Sequence, residues 1–236
     1  MESMFDTLLQ LPLFQGLAQD DFTAILEKVK LRFAKHQPGE VLAEAGQTCG
    51  ALLFILRGEA VSTTLSPAGD YRLTEYLPAG TLIEPQALFG MHTHYAATYV
   101  ARVQTHTVSI DKSFVMTELF HHHIFLLNYL NMVTNRAQTL AWRRWQRMGG
   151  SAEMRIAGFL LSLLDRPTGT KLFQIRLDTL SDIVGESRAG TARALHAMEE
   201  RGWLKLTSRD TLVIADAAQL VDAMAHPTPG AQPSGA

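Results

Sequence analysis

The chain holds one cysteine, Cys49, in 236 residues. That scarcity excludes an intrachain disulfide, a cysteine-ligated iron–sulfur cluster and a cysteine-rich zinc site. No basic neighbour lies within several residues of the thiol to activate it. Long apolar runs are missing too, with none reaching the length of a membrane span. The opening Met1-Glu2-Ser3-Met4-Phe5-Asp6 lacks the basic and apolar regions of a secretory leader. These absences predict a cytoplasmic protein with no membrane partner. Neither sign of charge dominates: 21 Lys and Arg stand against 23 Asp and Glu, for a net charge of −2. Indiscriminate coating of nucleic acid is thereby excluded, and any DNA contact has to come from a local patch. There is no Gly-x-Ser-x-Gly elbow, no phosphate-binding Gly-Lys-Ser loop and no zinc-protease motif, and His, Asp and Ser are scattered without triad order. An enzyme is not expected.

What is present is a globular composition, 47% hydrophobic and 19% charged, with enough chain for two modest cores. Residues 5 to 29 read as helical, with a break at Gly16 and a polar start at Asp20-Asp21. From 31 to 111 the pattern becomes short β-prone runs: Val41-Leu42, Leu52 to Leu56, Ala60 to Leu65, Leu73 to Leu77, Tyr99 to Val103 and His106 to Ile110. Turn signals such as Arg57-Gly58-Glu59 and Pro67-Ala68-Gly69-Asp70 separate them. This spacing predicts a small antiparallel barrel or roll. From Lys112 to Met148 the pattern is helical. Leu119, His123, Leu126, Leu130, Val133, Ala137 and Leu140 recur at alternating spacings of four and three, which predicts a coiled-coil seam between two copies of the chain. Gly149-Gly150-Ser151 reads as a joint that restarts a helix. The expected organisation is therefore α+β: a roll with N-terminal helices at 1–111, a long helix at 112–148, a DNA-binding module at 149–222 and a disordered Pro/Gly/Ala-rich tail at 223–236.

The DNA-binding expectation rests on residues 183 to 214. Ile183-Val184-Gly185 ends one helix in a tight turn, Ser187 caps the next, and Gly202 stops it before Trp203, Leu204 and Leu206. A short polar turn, Thr207-Ser208-Arg209-Asp210, then separates two β-prone runs as a wing. A helix that starts Ser187-Arg188 can set its first turn in the major groove, with Arg188 and Arg193 donating to guanines while Ala189 and Thr191 offer small apolar contacts. Ser187, Arg188, Ala189, Gly190, Thr191, Arg193 and Arg209 are the candidate DNA-binding residues. Arg143, Arg144 and Arg147 are further basic candidates ahead of the module.

A β-roll, a long helix and a winged helix-turn-helix in this order resemble the CRP/FNR superfamily of bacterial transcription regulators. The matching residues are Gly39-Glu40 and Gly46, Leu56-Arg57-Gly58-Glu59-Ala60, Ala87-Leu88-Phe89-Gly90, Arg155-Ile156-Ala157, and Ile183-Val184-Gly185 with Ser187-Arg188 and Arg193. The resemblance implies a two-fold dimer, an operator in double-stranded DNA with matching symmetry, RNA polymerase as a partner, and a small-molecule effector in the roll. A regulatory module of cyclic-nucleotide type without DNA binding is the rival reading, and it leaves 151–215 without a role.

The chain also departs from that pattern. Members that bind cyclic nucleotides carry Gly-Glu ahead of the segment matching Ala87-Leu88-Phe89, and Arg-Ser or Arg-Thr ten residues after that Glu. Here the first pair is Glu84-Pro85 and the second is Tyr95-Ala96. The cation for the phosphate is lost, and Pro85 has no backbone N–H. On the long helix, the positions that would meet the base align with Leu140 and Ala141. Cyclic AMP is therefore not expected as the effector. Glu84, Pro85, Phe89, Tyr95, Ala96, Leu126 and Leu140 are the candidate effector-pocket residues. Residues Ile83 to Val103 are similar to the corresponding stretch of nitric-oxide-responsive denitrification regulators. His92, His94, His106 and His121-His122-His123 lie near apolar residues that could line a haem pocket: Phe89, Tyr95, Phe120, Phe125 and Leu126. Haem sensing nitric oxide or carbon monoxide, an apolar organic effector, and no effector at all stay open at this level. In the reading helix, the Glu that commonly follows the Arg of Ser-Arg is replaced by Ala189, which predicts a half-site unlike the family's commonest ones.

Overall fold

The computed structural model describes residues 4–28, 30–146, 150–164 and 169–225. The chain divides into two compact units, 1–62 with 76–135 and 63–75 with 136–236.

The first unit opens with α1 (Met4–Leu9) and α2 (Gln19–Lys28). Strands β1 (Leu31–His36), β2 (Val41–Ala43), β3 (Ala51–Arg57), β4 (Glu59–Leu65), β5 (Tyr71–Pro78), β6 (Leu82–Ile83), β7 (Thr98–Ala101) and β8 (Thr105–Asp111) follow. One sheet has the order β1-β8-β3-β6, all antiparallel. Its inner strand β3 is buried from Leu52 to Leu56, as an unbroken apolar run requires when both faces are covered. β2, β7 and β4 are neighbours in the second sheet. Each strand expected from the apolar runs is present. β1 and β6 were not foreseen from sequence: β1 is an edge strand with an almost wholly exposed face, so it carries no apolar alternation, and β6 has only two residues. Between β3 and β4, Gly58 sits at φ +86, and a Cβ there would lie 2.4 Å from the Gln104 carbonyl oxygen. No side chain fits that turn.

The core of this unit joins Phe14, Phe22, Phe54 and Phe125, with Phe14 rings 5.3 Å from both Phe22 and Phe125. The helical stretch after the roll is not continuous. It breaks into α3 (Lys112–Thr117), a 3-10 turn at Leu119–His121, and α4 (His123–Gln146). This corrects the single helix expected from Lys112. Val115 and Leu119 are fully buried in the core, and His122 turns extended to admit them.

In the second unit, residues Tyr71–Glu75 of β5 pair antiparallel with β9 (Lys171–Ile175), which pairs in turn with β11 (Thr211–Ile214) and that with β10 (Lys205–Ser208). Glu75 and Lys171 are register partners and form a buried ion pair at 3.0 Å. Helices α5 (Ala152–Leu163), α6 (Leu177–Val184), α7 (Arg188–Glu200) and α8 (Ala218–Ala225) bury Ile156, Leu160, Phe173, Leu180, Met198 and Leu220 together. Ser151 caps α5 by accepting from the Met154 N–H. Of the joint expected at Gly149-Gly150-Ser151, Gly149 lies outside the described residues, as do 226–236 of the expected tail. α8 occupies residues through Ala225, with Met224 buried.

Candidate nucleic-acid interface and effector roll

The turn between α6 and α7 is built from local chemistry. Gly185 adopts a left-handed conformation (φ 63°, ψ 44°) and its N–H reaches back to the last turn of α6. Ser187 then caps α7, its hydroxyl accepting from the Gly190 N–H at 3.0 Å. Glu186 accepts from the Ser187 N–H at 2.9 Å and from the Arg155 guanidinium at 2.8 Å. The Ser187 hydroxyl also donates to Glu186, at 3.2 Å, and these two Ser187 bonds, with Arg155 after them, hold the Glu186 carboxyl below its usual range. Arg155 also donates to the Val184 and Gly150 carbonyls, at 2.9 and 2.8 Å. One guanidinium thus fastens the end of α6, the start of α5 and the turn between the two helices of the motif.

α7 is two-faced. Arg188, Ala189, Arg193 and His196 are exposed, while Gly190, Thr191, Ala194, Leu195 and Met198 are buried. The placement corrects two of the expected reading residues. Thr191 is fully buried, so its methyl group does not face a base. Gly190 is buried against Glu186, whose carboxylate lies where a Cβ would be, 2.5 Å away. Its small size serves packing. Ser187 is exposed but committed to the cap. Arg188 pairs with Asp178 of α6 at 3.2 Å. Arg209 is exposed in the turn between β10 and β11, and Glu199 of α7 anchors that wing by accepting from the Leu206 N–H at 2.7 Å. The Arg201 guanidinium lies 5.1 Å over the Trp203 ring. His196 and Asp178 were not foreseen. The 3.6-residue period through Ala189 and Arg193 could have found His196; the α6 partner of Arg188 could not be found without the helix crossing. The side chains of Arg143, Arg144 and Arg147 lie outside the described residues.

In the roll, Glu84 is the notable residue. It adopts φ 37° and ψ 57°, the one non-glycine with positive φ among the described residues. Its carboxylate is buried, 3% exposed. It accepts from the Ala96 N–H at 2.9 and 3.0 Å, from the Ala97 N–H at 3.2 Å, and from the Tyr99 hydroxyl at 2.8 Å. Pro85 is buried, and its carbonyl accepts from the Tyr129 hydroxyl at 2.9 Å. Burial pushes the Tyr129 phenol up to about 12 and raises Tyr95 further; Tyr95 also shares a hydrogen bond with the Cys49 thiol. Burial likewise raises Cys49.

The aromatic residues expected to line a pocket pack on one another. Phe89 lies 5.6 Å from Phe120 and 5.9 Å from Tyr129, Phe120 lies 6.3 Å from Phe125, and the Lys112 ammonium stands 4.7 Å over the Phe89 ring. Leu126 is half-buried, Ala96 exposed, and the Leu140 side chain lies outside the described residues. His92, His94, His121 and His123 are exposed, and His122 is half-buried. His106 lines a separate cavity of about 310 Å³ with Phe33, Leu56 and Arg57. Among the described residues no three His, Cys, Asp or Glu side chains are gathered for a metal ion, and no helix is long and apolar enough to cross a membrane.

Of the expected seam residues, His123, Leu130 and Ala137 are exposed, whereas Leu126 and Val133 are half-buried. Leu119 is removed from the seam: it precedes α4 and is fully buried in the core. Leu127, 57% exposed, joins Leu130, 50% exposed, on the outward face.

Two family descriptions match the chain in the order of its sequence: a Cyclic nucleotide-binding domain at residues 33–122 and a Crp-like helix-turn-helix domain at 154–223. The chain belongs to the CRP/FNR family. This CRP/FNR protein is a DNA-binding transcription regulator with a cyclic nucleotide-binding domain. The Cyclic AMP receptor protein of Thermus thermophilus is 25% identical to it over 217 residues, covering 89% of this chain and 94% of the relative. Among solved structures, the Thermus thermophilus Catabolite Activator Protein is similar over 91% of this chain and 98% of its own, with 25% identity and a TM-score of 0.49. The sensor domain of the transcriptional regulator DNR from Pseudomonas aeruginosa is similar over 55% of this chain and 85% of its own, with 18% identity and a TM-score of 0.47.

Proposed function

We propose that this CRP/FNR protein acts as a homodimer whose two α7 helices enter the major groove of a two-fold operator, under an effector other than cyclic AMP. The observation that carries the reading is the division of α7 into a buried face and an exposed face bearing Arg188, Ala189 and Arg193. Arg188 and Arg193 have the forked donors that match the two acceptors of guanine, and Ala189 offers a methyl group to thymine. With Ala189 where a Glu would accept from cytosine, the half-site differs from the family's commonest ones at that base pair. Arg209 contacts phosphate from the wing and steadies the register.

Dimerisation is supported by the outward stripe of His123, Leu127, Leu130 and Ala137 on α4. Two exposed leucines one turn apart on a helix are expected to meet a matching surface. The reading of the effector rests on Tyr95, which stands where a cation would meet a phosphate, and on the acid Glu84, which lies against the Ala96 amide. A cyclic phosphate placed there meets a carboxylate and no compensating cation. RNA polymerase is the partner through which bound dimer acts.

Selection of bound duplexes from a random pool tests the reading. The expected product is a palindrome with guanines at the Arg188 and Arg193 positions, and Arg188→Ala relaxes one of them with a loss of about 1–3 kcal/mol of discrimination. A pool without two-fold symmetry, or one unchanged by Arg188→Ala, overturns it. A tight calorimetric isotherm with cyclic AMP overturns the effector part.

A further inference from the structure

We propose that the cavity formed by β1, β3 and β8 beside Thr7 of α1 binds a small amphipathic carboxylate, its acid held by Arg57 and His106 and its apolar body by Phe33 and Leu56. The cavity measures about 310 Å³, the small end of ligand-sized clefts. Two chemistries meet in its wall. Phe33, 50% exposed, and Leu56 are apolar, while Arg57 and His106 are bases. Register partners in an antiparallel sheet share a face. Lys35 of β1 and Arg57 of β3 are both partners of His106 in β8, so three bases stand in one row across three strands. The register shifts between Ile55 and Arg57, and both Leu56 and Arg57 line the cavity. Strict alternation would send these two neighbours to opposite faces.

The row lacks a counter-charge. Two acids on or beside these strands are already taken, Glu59 by Arg102 at 2.8 Å and Asp111 by Arg32. Lys35, Arg57 and His106 form no ion pair among the described residues. The ligand class follows from the two chemistries. A bare inorganic anion leaves Phe33 and Leu56 uncovered, and an uncharged apolar molecule leaves the bases unanswered. A carboxylate on a short alkyl or arylalkyl chain meets both, because a guanidinium fork matches a carboxylate and the chain removes apolar surface from water. None of the lining residues belongs to the segment from Glu84 to Tyr99, so this site stands whatever effector the roll takes.

The probes are octanoate and hydrocinnamate, with octanol and hydrocinnamyl alcohol as their neutral counterparts and acetate as the acid without an apolar body. Titrated into the full-length protein and followed by two-dimensional NMR, octanoate and hydrocinnamate should shift the amides of Ala34, Leu56, His106 and Thr107 saturably, with a Kd on the order of 1 mM for ligands this small. The alcohols and acetate should bind roughly tenfold more weakly or worse. Arg57 is exposed, so Arg57→Gln should fold and should lose most of the preference for acid over alcohol, whereas Phe33→Ala weakens both. The comparison of acid with alcohol in the wild type needs no variant at all. The proposal is overturned by the absence of saturable shifts at those four amides, by an acid that binds no better than its alcohol, or by an Arg57→Gln variant that keeps the full preference. Shifts centred on Glu84 to Tyr99 overturn it too, since they place the acid inside the roll.

Discussion

If Arg188 reads guanine as proposed, it has to leave one partner before it can take another. In the DNA-free protein its guanidinium pairs with the Asp178 carboxylate at 3.2 Å, with the two side chains 56% and 61% exposed. A pair so open to water is worth about 0.2–1 kcal/mol, and DNA binding forfeits that amount when Arg188 turns to guanine. Asp178→Asn removes the competitor, so affinity for the selected operator should rise by about 1.4- to 5-fold. The loss of a negative charge close to the phosphates adds a contribution independent of Arg188. A double-mutant cycle separates the two, because in an Arg188→Ala background only the independent part remains. Fluorescence anisotropy with labelled operator, at low and at physiological salt, gives both quantities. The coupling should shrink as salt screens the pair. Asp178 also lies in the first turn of α6, where an acid favours the helix dipole, so a small fall in Tm accompanies the gain. Binding weakened by Asp178→Asn, or a gain of equal size with and without Arg188, refutes the idea that the pair competes with DNA.

Three further outcomes are expected. Lys171→Met removes the cation that pairs with the buried Glu75 carboxylate and should cost about 3–5 kcal/mol, while Lys171→Met with Glu75→Leu recovers most of it; urea midpoints that fail to separate single from double variant sink this. Thr191→Val replaces a buried hydroxyl that has no hydrogen-bond partner among the described residues, and should stabilise by about 1 kcal/mol, roughly 2–4 °C in Tm, with DNA affinity unchanged. Cys49, buried and with its thiol pushed up by that burial, should react with iodoacetamide roughly tenfold or more slowly than free cysteine near neutral pH. Its thiolate appears only as pH climbs past the ordinary thiol value, and rapid labelling at neutral pH contradicts this environment.

The sequence by itself determined the elements whose cause is local. Ser187 makes a cap and Gly185 a left-handed stop because the required chemistry lies within three residues of the turn. The apolar run Leu52 to Leu56 specifies a strand covered on both sides whatever its neighbours are. The order of roll, helix and winged module was legible for the same reason. The tertiary structure decided which side of each element faces in. Leu119 fits the heptad spacing as well as Leu130 does, yet the core of the roll takes it and leaves Leu130 outside. Thr191 and Arg193 lie on one helix two residues apart, and only the packing of α7 sends one inward and the other to solvent. Glu84 carried the least sequence signal. A lone acid before a proline says nothing of the amides of Ala96 and Ala97, which come to its carboxylate from across the roll. Burial and long-range hydrogen bonding are properties of chain segments brought together in space, and the periodicity of one segment does not contain them.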